Sequence, residues 1–594
     1  MQSIFIKMKT HIKEYILRIY RIAIITSSLA LIIGCGNLYA QHRYQKVRQT
    51  ICNPLDLNYR FCLDTPSRRE AADPAMIVFK GEYYLFASKS GGYWRSPDLK
   101  QWKLITTDDL PLEDYAPTAV VIGDTVLFMA STGKDGGKIY KTGNPASGKW
   151  TVANPAFPIS MVDPDLFLDD DKRLYLYYGC SNINPIFVVE LDIKTLMPKT
   201  TPVPLINSDH SVNGWERSGE HNELPSRPWI EGAWMTKVKG KYYLQYACPE
   251  TEFKSYSDGL YIGDSPAGPF RLAPNNPFSA RQGGFIGSAG HSSTFQDKYG
   301  NYWRISTMTI SVHHRYERRL GIFPAFFRSP DDAYTYAGYG DYPFFVPDAR
   351  INVPADLSTG WALLSYNKPV SVSSQLKGHE ALLAVDEDVR TYWSAATGTD
   401  KEWITMDLKT KCSINAIQIN FADHNAGLYG RKPNTAYDYL LEVSVDKLHW
   451  TQVNNTWLTA RDNPHDYVEL AKPMYARYVR MRNVTVPGGT FALWGLRVFG
   501  KQLQQLAKEK VTFTAVRNNT DRCHISLKWP ACQSSTGYNV RYGIAPGKMY
   551  QNYQVNGTTG AEIGNLNSKQ SYYFTVENIT ENGIVKSGQV IFIK

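Results

Sequence analysis

The sequence has no run of lysine or arginine, no CxxC pair, no Cys/His spacing of the zinc kind and, beyond its first residues, little helical periodicity. Each absence excludes a class. The formal net charge is +10, but residues 1–40 carry five Lys/Arg and one Glu, which leaves +6 for the rest of the chain. So small an excess, spread over a mixed surface, makes no electrostatic footprint for nucleic acid. Without clustered thiols and histidines there is no structural zinc site. Without a 3.6-residue apolar period there is no helical bundle. What is abundant is tyrosine and tryptophan, 39 and 14 residues. That composition fits an all-β protein with surfaces suited to sugars. A chain of 594 residues exceeds a single core and calls for about two to four domains.

The N-terminus reads as an export signal over residues 1–40. Lys7, Lys9, Lys13, Arg18 and Arg21 precede the apolar run Ile22 to Ile33, which is short for a bilayer span. Two processing sites compete. Ile32-Ile33-Gly34-Cys35 resembles a bacterial lipobox, which would lipidate Cys35 and anchor the chain to the outer membrane. Leu38-Tyr39-Ala40 before Gln41 has the form of an ordinary signal-peptidase site, and the length of the segment after the apolar run favours it. Both lead out of the cytoplasm, to the periplasm or, when lipidated, to the outer membrane or cell surface. In an oxidising compartment Cys52 and Cys62, and Cys523 and Cys532, are near enough in sequence to pair. Cys180, Cys248 and Cys412 read as small buried hydrophobes.

After a lead-in over 41–65, one hairpin pattern recurs five times between residues 66 and 345. The repeats begin at Met76, Ala119, Leu166, Trp234 and Thr294; each runs apolar strand, Gly/Asp turn, aromatic strand. Repeats about 40 to 70 residues apart predict a five-bladed β-propeller. Just upstream, in nearly one register, stand Asp73, Pro117, Asp163 with Asp165, Glu231 and His291. If the first strand of each blade lines the central axis, carboxylates from three blades converge at one end of it.

The motifs Ala72-Asp73-Pro74-Ala75, Val162-Asp163-Pro164-Asp165 and Ile230-Glu231-Gly232-Ala233, in this order, resemble those of glycoside hydrolase family 43, inverting five-bladed enzymes acting on arabinose- and xylose-containing glycans. The resemblance implies Asp73 as general base, Glu231 as general acid, and Asp163 as the carboxylate that raises the acid's pKa and orients it. Inversion needs such a pair about 6.5–9.5 Å apart, with room for a water. The proline after Asp73 and Asp163 restricts each acid to extended geometry. Asp165 reads either as a supporting carboxylate or as a turn residue. Glu216, Glu220 and Glu223 are rival acids in a polar loop without a following hairpin. The resemblance also suggests that His291 helps hold a central calcium or sodium through water; a hydrogen-bonded axial histidine without metal is the alternative. No cofactor is required for the chemistry. Trp94, Tyr115, Trp229 and Trp234 are candidate sugar platforms, with inter-blade packing as their alternative. Arg319 resembles the late arginine that contacts the bound sugar, and Tyr115-Ala116-Pro117 departs from the more usual Trp-Ala-Pro. The loops Ser208 to Arg227 and Arg281 to Gly290 are long enough to close the funnel into a pocket.

Residues 346–364 form a Pro-containing linker. From 365 to 501 the ordered segments Ala384–Trp393, Trp403–Leu408, Leu441–Trp450, Ala476–Met481 and Leu496–Gly500 resemble the discoidin (coagulation factor 5/8 type C) fold, a β-sandwich used widely to bind carbohydrate. Asp386 and Asp388 fall where relatives bind calcium, but Gly495 stands where they often carry Glu, which favours solvated loop acids. Residues 510–594, with Trp529 on an early strand and Leu566 six residues before Tyr572, look like a fibronectin type III domain, usually a spacer.

The expected whole is an exported inverting glycosidase. It would be an exo-acting α-L-arabinofuranosidase on plant polysaccharide side chains, with a β-xylosidase or galactofuranosidase as alternatives from the same family. A noncatalytic glycan-binding propeller is the alternative from another class, and the intact acidic trio argues against it.

Overall fold

Each of the five hairpin repeats grows into a four-stranded antiparallel sheet whose strands lie in sequence order. The inner strands are Ala72–Phe79, Thr118–Ile122, Asp165–Leu168, Glu231–Val238 and Gly287–Gln296, which begin blades 1 to 5. They neighbour one another in that order, and the fifth lies beside the first, closing the ring. The computed structural model describes residues 48–594 except 133–135, 434 and 454–460. The expected export signal and Cys35 fall outside the described residues. Among these, no helix is long and apolar enough to cross a membrane.

Aromatic rings pack between blades. Phe86 stacks on Tyr93 at 4.7 Å and meets Phe128 of the next blade at 5.4 Å, with Trp150 closing the cluster. Nearer the axis the inner strands are stitched by side chains. The Met76 N–H donates to Ser293 Oγ (3.0 Å), Leu166 N–H to Thr118 Oγ1 (3.1 Å) and Met235 N–H to Asp165 Oδ2 (2.7 Å). In each case a side chain two residues past a blade's turning point satisfies a backbone donor of its neighbour, which a twisted, splayed sheet edge would leave unmet. Asp165 is therefore a brace between blades 3 and 4 rather than a turn residue. The lead-in straps blade 5: Thr50–Ile51 pairs with Phe344–Phe345, and Asn53 Nδ2 donates to the carbonyls of Ile322 and Gly340.

The second domain is a sandwich built on Trp403–Phe421, which pairs with both His465–Thr485 and Ala492–Gln502. Its apolar face supplies a core of Trp393, Ile404, Ile417, Leu441, Val479 and Val498. The third domain packs a three-stranded sheet, Thr514–Arg517, Ile525–Lys528 and Gly560–Ile563, on a sheet led by Gly537–Gly543, Gln551–Val555 and Tyr572–Thr580. The Asn567 N–H donates to the Tyr572 hydroxyl at its corner (2.9 Å).

Neither C-terminal domain hangs free, since residues 50–594 form one compact unit. Tyr550 stacks on Tyr334 of blade 5 with ring centres 3.6 Å apart, and its hydroxyl donates to Asp332. Gln282–Gly283 adds a parallel strand to Gln551–Val555, and the Gly214 N–H donates to the Leu566 carbonyl. Phe285 and Ile286 enter a shared core with Val389, Tyr392 and Trp494. The loops 208–227 and 281–290, expected to close the funnel, also dock the C-terminal domains, while Ser218 of the first bonds Glu250 and residues 287–290 of the second open the inner strand of blade 5. A Cβ on Gly495 would come within 2.9 Å of the Phe285 ring, so glycine there serves docking.

The expected disulfides are absent: all seven described cysteines are free thiols. Cys52 Sγ donates to the Asp341 carbonyl and Cys62 Sγ to Glu70, so each thiol is engaged away from its expected mate. Cys523 Sγ likewise donates to the Val212 carbonyl. In the second domain Asp388 pairs with Lys254 at 3.2 Å, and Asp386 accepts the Asp388 N–H and the Thr391 hydroxyl.

Candidate active site

One backbone device aims the axial side chains. At the blade entries Asp73, Ala116, Asp163, Gly232 and His291 all have left-handed φ, between 42° and 55°, so Asp73 and Asp163 do not take the extended geometry expected from the prolines that follow them. The strand pairing slips at the first, fourth and fifth of these entries. Such bulges bend the strand and re-aim its side chains, here toward the axis. Non-glycine residues in this region are uncommon and strained. In blade 4 the turning residue is Gly232, and the acid is its predecessor Glu231. A Cβ on Gly232 would meet the His291 ring at 2.7 Å, so backbone conformation and close approach both demand glycine.

These turns bring together Asp73, Asp163, Glu231 and His291. His291 Nδ1 lies 3.3 Å from Asp73 Oδ1 and 3.8 Å from Asp163 Oδ2. One ligand-type atom from each of Asp163, Glu231 and His291 lies within 4.8 Å of the others. Ca²⁺ takes six to eight oxygen ligands. This trio offers an imidazole and two carboxylates whose oxygens already accept protein donors. Burial would discharge His291, but Asp73, Asp163 and Glu231 outweigh it and raise its pKa. A calcium or sodium ion here would be held by these three side chains directly or through water; in their own field His291 keeps its proton more tightly than a free imidazole.

Asp73 is buried, which alone would raise its pKa, yet Arg318, His291 and the Ser88 hydroxyl hold it below the usual carboxylate range. Arg318 Nη1 donates to Asp73 Oδ1 (3.0 Å) and Ser88 Oγ to Oδ2 (2.6 Å). Ser88 is itself oriented by the Ala116 N–H of blade 2 (2.7 Å). Asp163 is the opposite case. Burial pushes it up to about 7, with Glu231 and Asp73 adding and His291 opposing; the Gly232 N–H donates to its Oδ2 (3.1 Å). Glu231 accepts the Tyr256 hydroxyl on Oε1 (2.5 Å) and the Cys180 thiol on Oε2 (3.1 Å).

Arg319 is corrected by one residue. It is 1% exposed and faces away from the axis, where its Nε donates to His465 Nε2 (2.8 Å). Successive strand residues face opposite sides, so Arg318 is the arginine beside the carboxylates, held also by Glu70 (2.7 Å). Trp94 is corrected too: it is fully buried, donates to Asn58 and offers no ring to a sugar. Trp234 is part-buried, its indole N–H bound to the Thr294 carbonyl. Trp229 is 40% exposed, two residues before Glu231. Tyr115 lies edge-on to Tyr316 (6.2 Å), with the Arg318 guanidinium 5.8 Å from its ring centre, so it forms the wall beside Asp73.

The rival acids lie elsewhere. Glu216 is buried under Tyr246 and pushed up to about 7 by that burial; Glu220 pairs with Arg390, and Glu223 caps the His221 N–H. Reasoning on the sequence missed Ser88, Tyr256, Cys180, Arg318, Tyr316 and Glu250. Glu250 accepts the Ser218 hydroxyl (2.8 Å) and is pushed up to about 7, by burial first and then by Glu252 and Glu231. Only Arg318 carried a sequence signal, the Arg318-Arg319 pair.

Residues 67–328 match the model of glycosyl hydrolases family 43, and residues 369–496 match that of the F5/8 type C domain. A β-D-galactofuranosidase of Aspergillus niger is 25% identical over 280 residues, 41% of this chain and 74% of that protein. A xylosidase/arabinosidase of Bacteroides ovatus is 23% identical over 256 residues, 34% of this chain and 75% of that one. Among solved structures, a thermostable family-43 glycoside hydrolase aligns with TM-score 0.40 and 22% identity, covering 51% of this chain and all of that one. The chain is a glycoside hydrolase, its propeller matching glycosyl hydrolases family 43 and its adjoining sandwich the F5/8 type C domain.

Proposed function

We propose that the chain removes terminal α-L-arabinofuranosyl units from plant polysaccharide side chains by single displacement with inversion. The observation that carries this reading is the convergence of three carboxyls at one axis in unlike surroundings. Asp73 is held ionised by Arg318, whereas burial pushes Asp163, beside Glu231, up to about 7. Carboxyls in environments that differ in this way divide the work of base and acid.

Asp73, with one oxygen on Arg318 and the other on Ser88, takes the proton of a water that attacks the anomeric carbon. Glu231 gives its proton to the departing glycosidic oxygen. Asp163, tied to the Gly232 N–H, fixes the backbone next to the acid. His291 balances the carboxylates. One proton is lost by water and one gained by the leaving alcohol, so the net change is hydrolysis. No step requires a metal or cofactor.

Exo action is supported by the F5/8 type C domain, whose segment 423–431 leans on the funnel side of the propeller. Asp423 pairs with Arg69, Arg431 reaches the Ser90 carbonyl, and the Leu428 carbonyl accepts the Ser67 hydroxyl. That wall adds to the one expected from the docking loops. The names of the relatives support arabinosides, xylosides and galactofuranosides as the substrates to compare. The fibronectin type III reading of residues 510–594 is supported by the three-strand sheet, its partner sheet and the Tyr572 corner. Export, with or without lipid on Cys35, is supported by the basic and apolar pattern of residues 1–40.

The test is hydrolysis of aryl α-L-arabinofuranoside, β-D-xyloside and β-D-galactofuranoside by wild type and Glu231→Gln. Turnover of the arabinofuranoside that collapses in the variant is expected. Preference for another glycoside would change the sugar, and unimpaired turnover by the variant would overturn the acid.

A further inference from the structure

A cleft of about 520 Å³ opens between the outer part of blade 1 and the F5/8 type C domain, apart from the carboxylate cluster. Its walls include Lys100, Gln101 and Trp102 of the propeller, Asp56 of the lead-in, and Arg461 and Asn463 of the sandwich. Strand register places it away from the chemistry. Ala72, next to Asp73, pairs with Ser88 at one end of blade 1, whereas Ser96, which leads into the 97–102 turn, pairs with Tyr83 toward the other.

We infer that this cleft binds a stretch of neutral oligosaccharide. Its volume falls within the range of small-molecule sites, about 300–1,000 Å³. Trp102 is half-buried, packed against the blade-1 core while also lining the cleft. An indole so placed offers an apolar face to sugar C–H groups. Beside it, Asp56 accepts from Asn463 Nδ2 (2.7 Å) and Arg461 Nη2 (3.1 Å), so an acceptor and two donors are held in one fixed row. Sugar hydroxyls, each donor and acceptor, match such a row. The charges are already matched within the protein: Arg461 with Asp56 and Asp466, Lys100 with Glu469, Asp462 with Arg69. A ligand bearing net charge would meet no unbalanced partner, which selects a neutral one. The two walls belong to different domains of one compact unit, so the row exists before ligand arrives. A polymer held here raises the local concentration of its side chains at the funnel.

The site rests on the hydrolase reading above only for the choice of polymers to try. The test uses the full chain carrying Glu231→Gln, whose turnover of polymer is expected to be slow enough to leave the gel intact, in affinity electrophoresis through gels containing arabinoxylan or branched arabinan. Adding Trp102→Ala is expected to weaken retardation at least fivefold on the polymer that retards the parent. Because Trp102 also packs on a core, Asn463→Ala and Gln101→Ala, which leave that core intact, are run beside it, and all variants are checked by thermal melting. Asn463→Ala is expected to weaken retardation at least threefold. Parent retardation unchanged in the folded variants would overturn the site, as would a parent that neither polymer retards. Aryl-glycoside hydrolysis by the otherwise wild-type chain tests the hydrolase reading separately, so the two failures are distinguishable.

Discussion

Arg318 Nη1 donates to Asp73 Oδ1 at 3.0 Å, and with His291 and Ser88 it holds the proposed base ionised. A guanidinium beside a carboxylate lowers its pKa by about 1–3 units. In Arg318→Gln the acid limb of kcat/KM is expected to move up by about that much. Arg319→Gln, which alters the opposite face of the same strand, is expected to lower stability and leave the limb in place. Paired pH–rate profiles check both.

The acid and base separate by leaving group. Glu231→Gln is expected to lose about 10²–10⁴ in kcat on a poor leaving group, and much less on a dinitrophenyl glycoside, which departs unaided. Asp73→Asn is expected to lose activity on both. Steady-state rates on the two substrates make the comparison. Equal losses in Glu231→Gln on both would contradict its role.

How much of this was legible in the sequence follows from what each inference needed. The hairpins and the acids Asp73, Asp163 and Glu231 could be read because a strand–turn–strand signal is local and recurs. The choice between Arg318 and Arg319 could not, since a slip of one residue reverses the facing side. Trp94 could not be told from a sugar platform because its partner Asn58 lies in the lead-in, 36 residues away in sequence. Tyr256 and Cys180 reach Glu231 across 25 and 51 residues with no motif around them. That the loops 208–227 and 281–290 dock the third domain could not be read, because their partners there are more than 250 residues further along the chain.

Asp165 gives the propeller a pH-dependent stability. Burial pushes its carboxyl up to about 8, against 3.8 as the ordinary value, so the folded state keeps a proton the unfolded chain has released. Where the folded state binds more protons, stability falls as pH rises, here between about pH 4 and 8. Asp165→Asn keeps an acceptor for the Met235 N–H and removes the titration. Its melting temperature is expected to vary less over that window than wild type's, as thermal scans from pH 4.5 to 8 will show.

Gly232→Ala places a Cβ against the His291 ring and a side chain at left-handed φ. Strain of this kind costs about 1–3 kcal/mol. The variant is expected to unfold at lower denaturant and to lose kcat through a displaced Glu231, whereas Gly81→Ala, at an open turn with nothing within 4 Å of the new Cβ, is expected to keep kcat. Chemical denaturation with parallel activity assays reads both effects.

The most direct measurement of the central claim is the configuration of the first-formed sugar. Proton NMR of an aryl glycoside hydrolysed at high enzyme concentration shows the new anomeric signal before mutarotation. Single displacement by water that Asp73 activates predicts the anomer opposite to the substrate's. Initial release of the same anomer would mean a covalent intermediate on one of these carboxylates and would contradict the account.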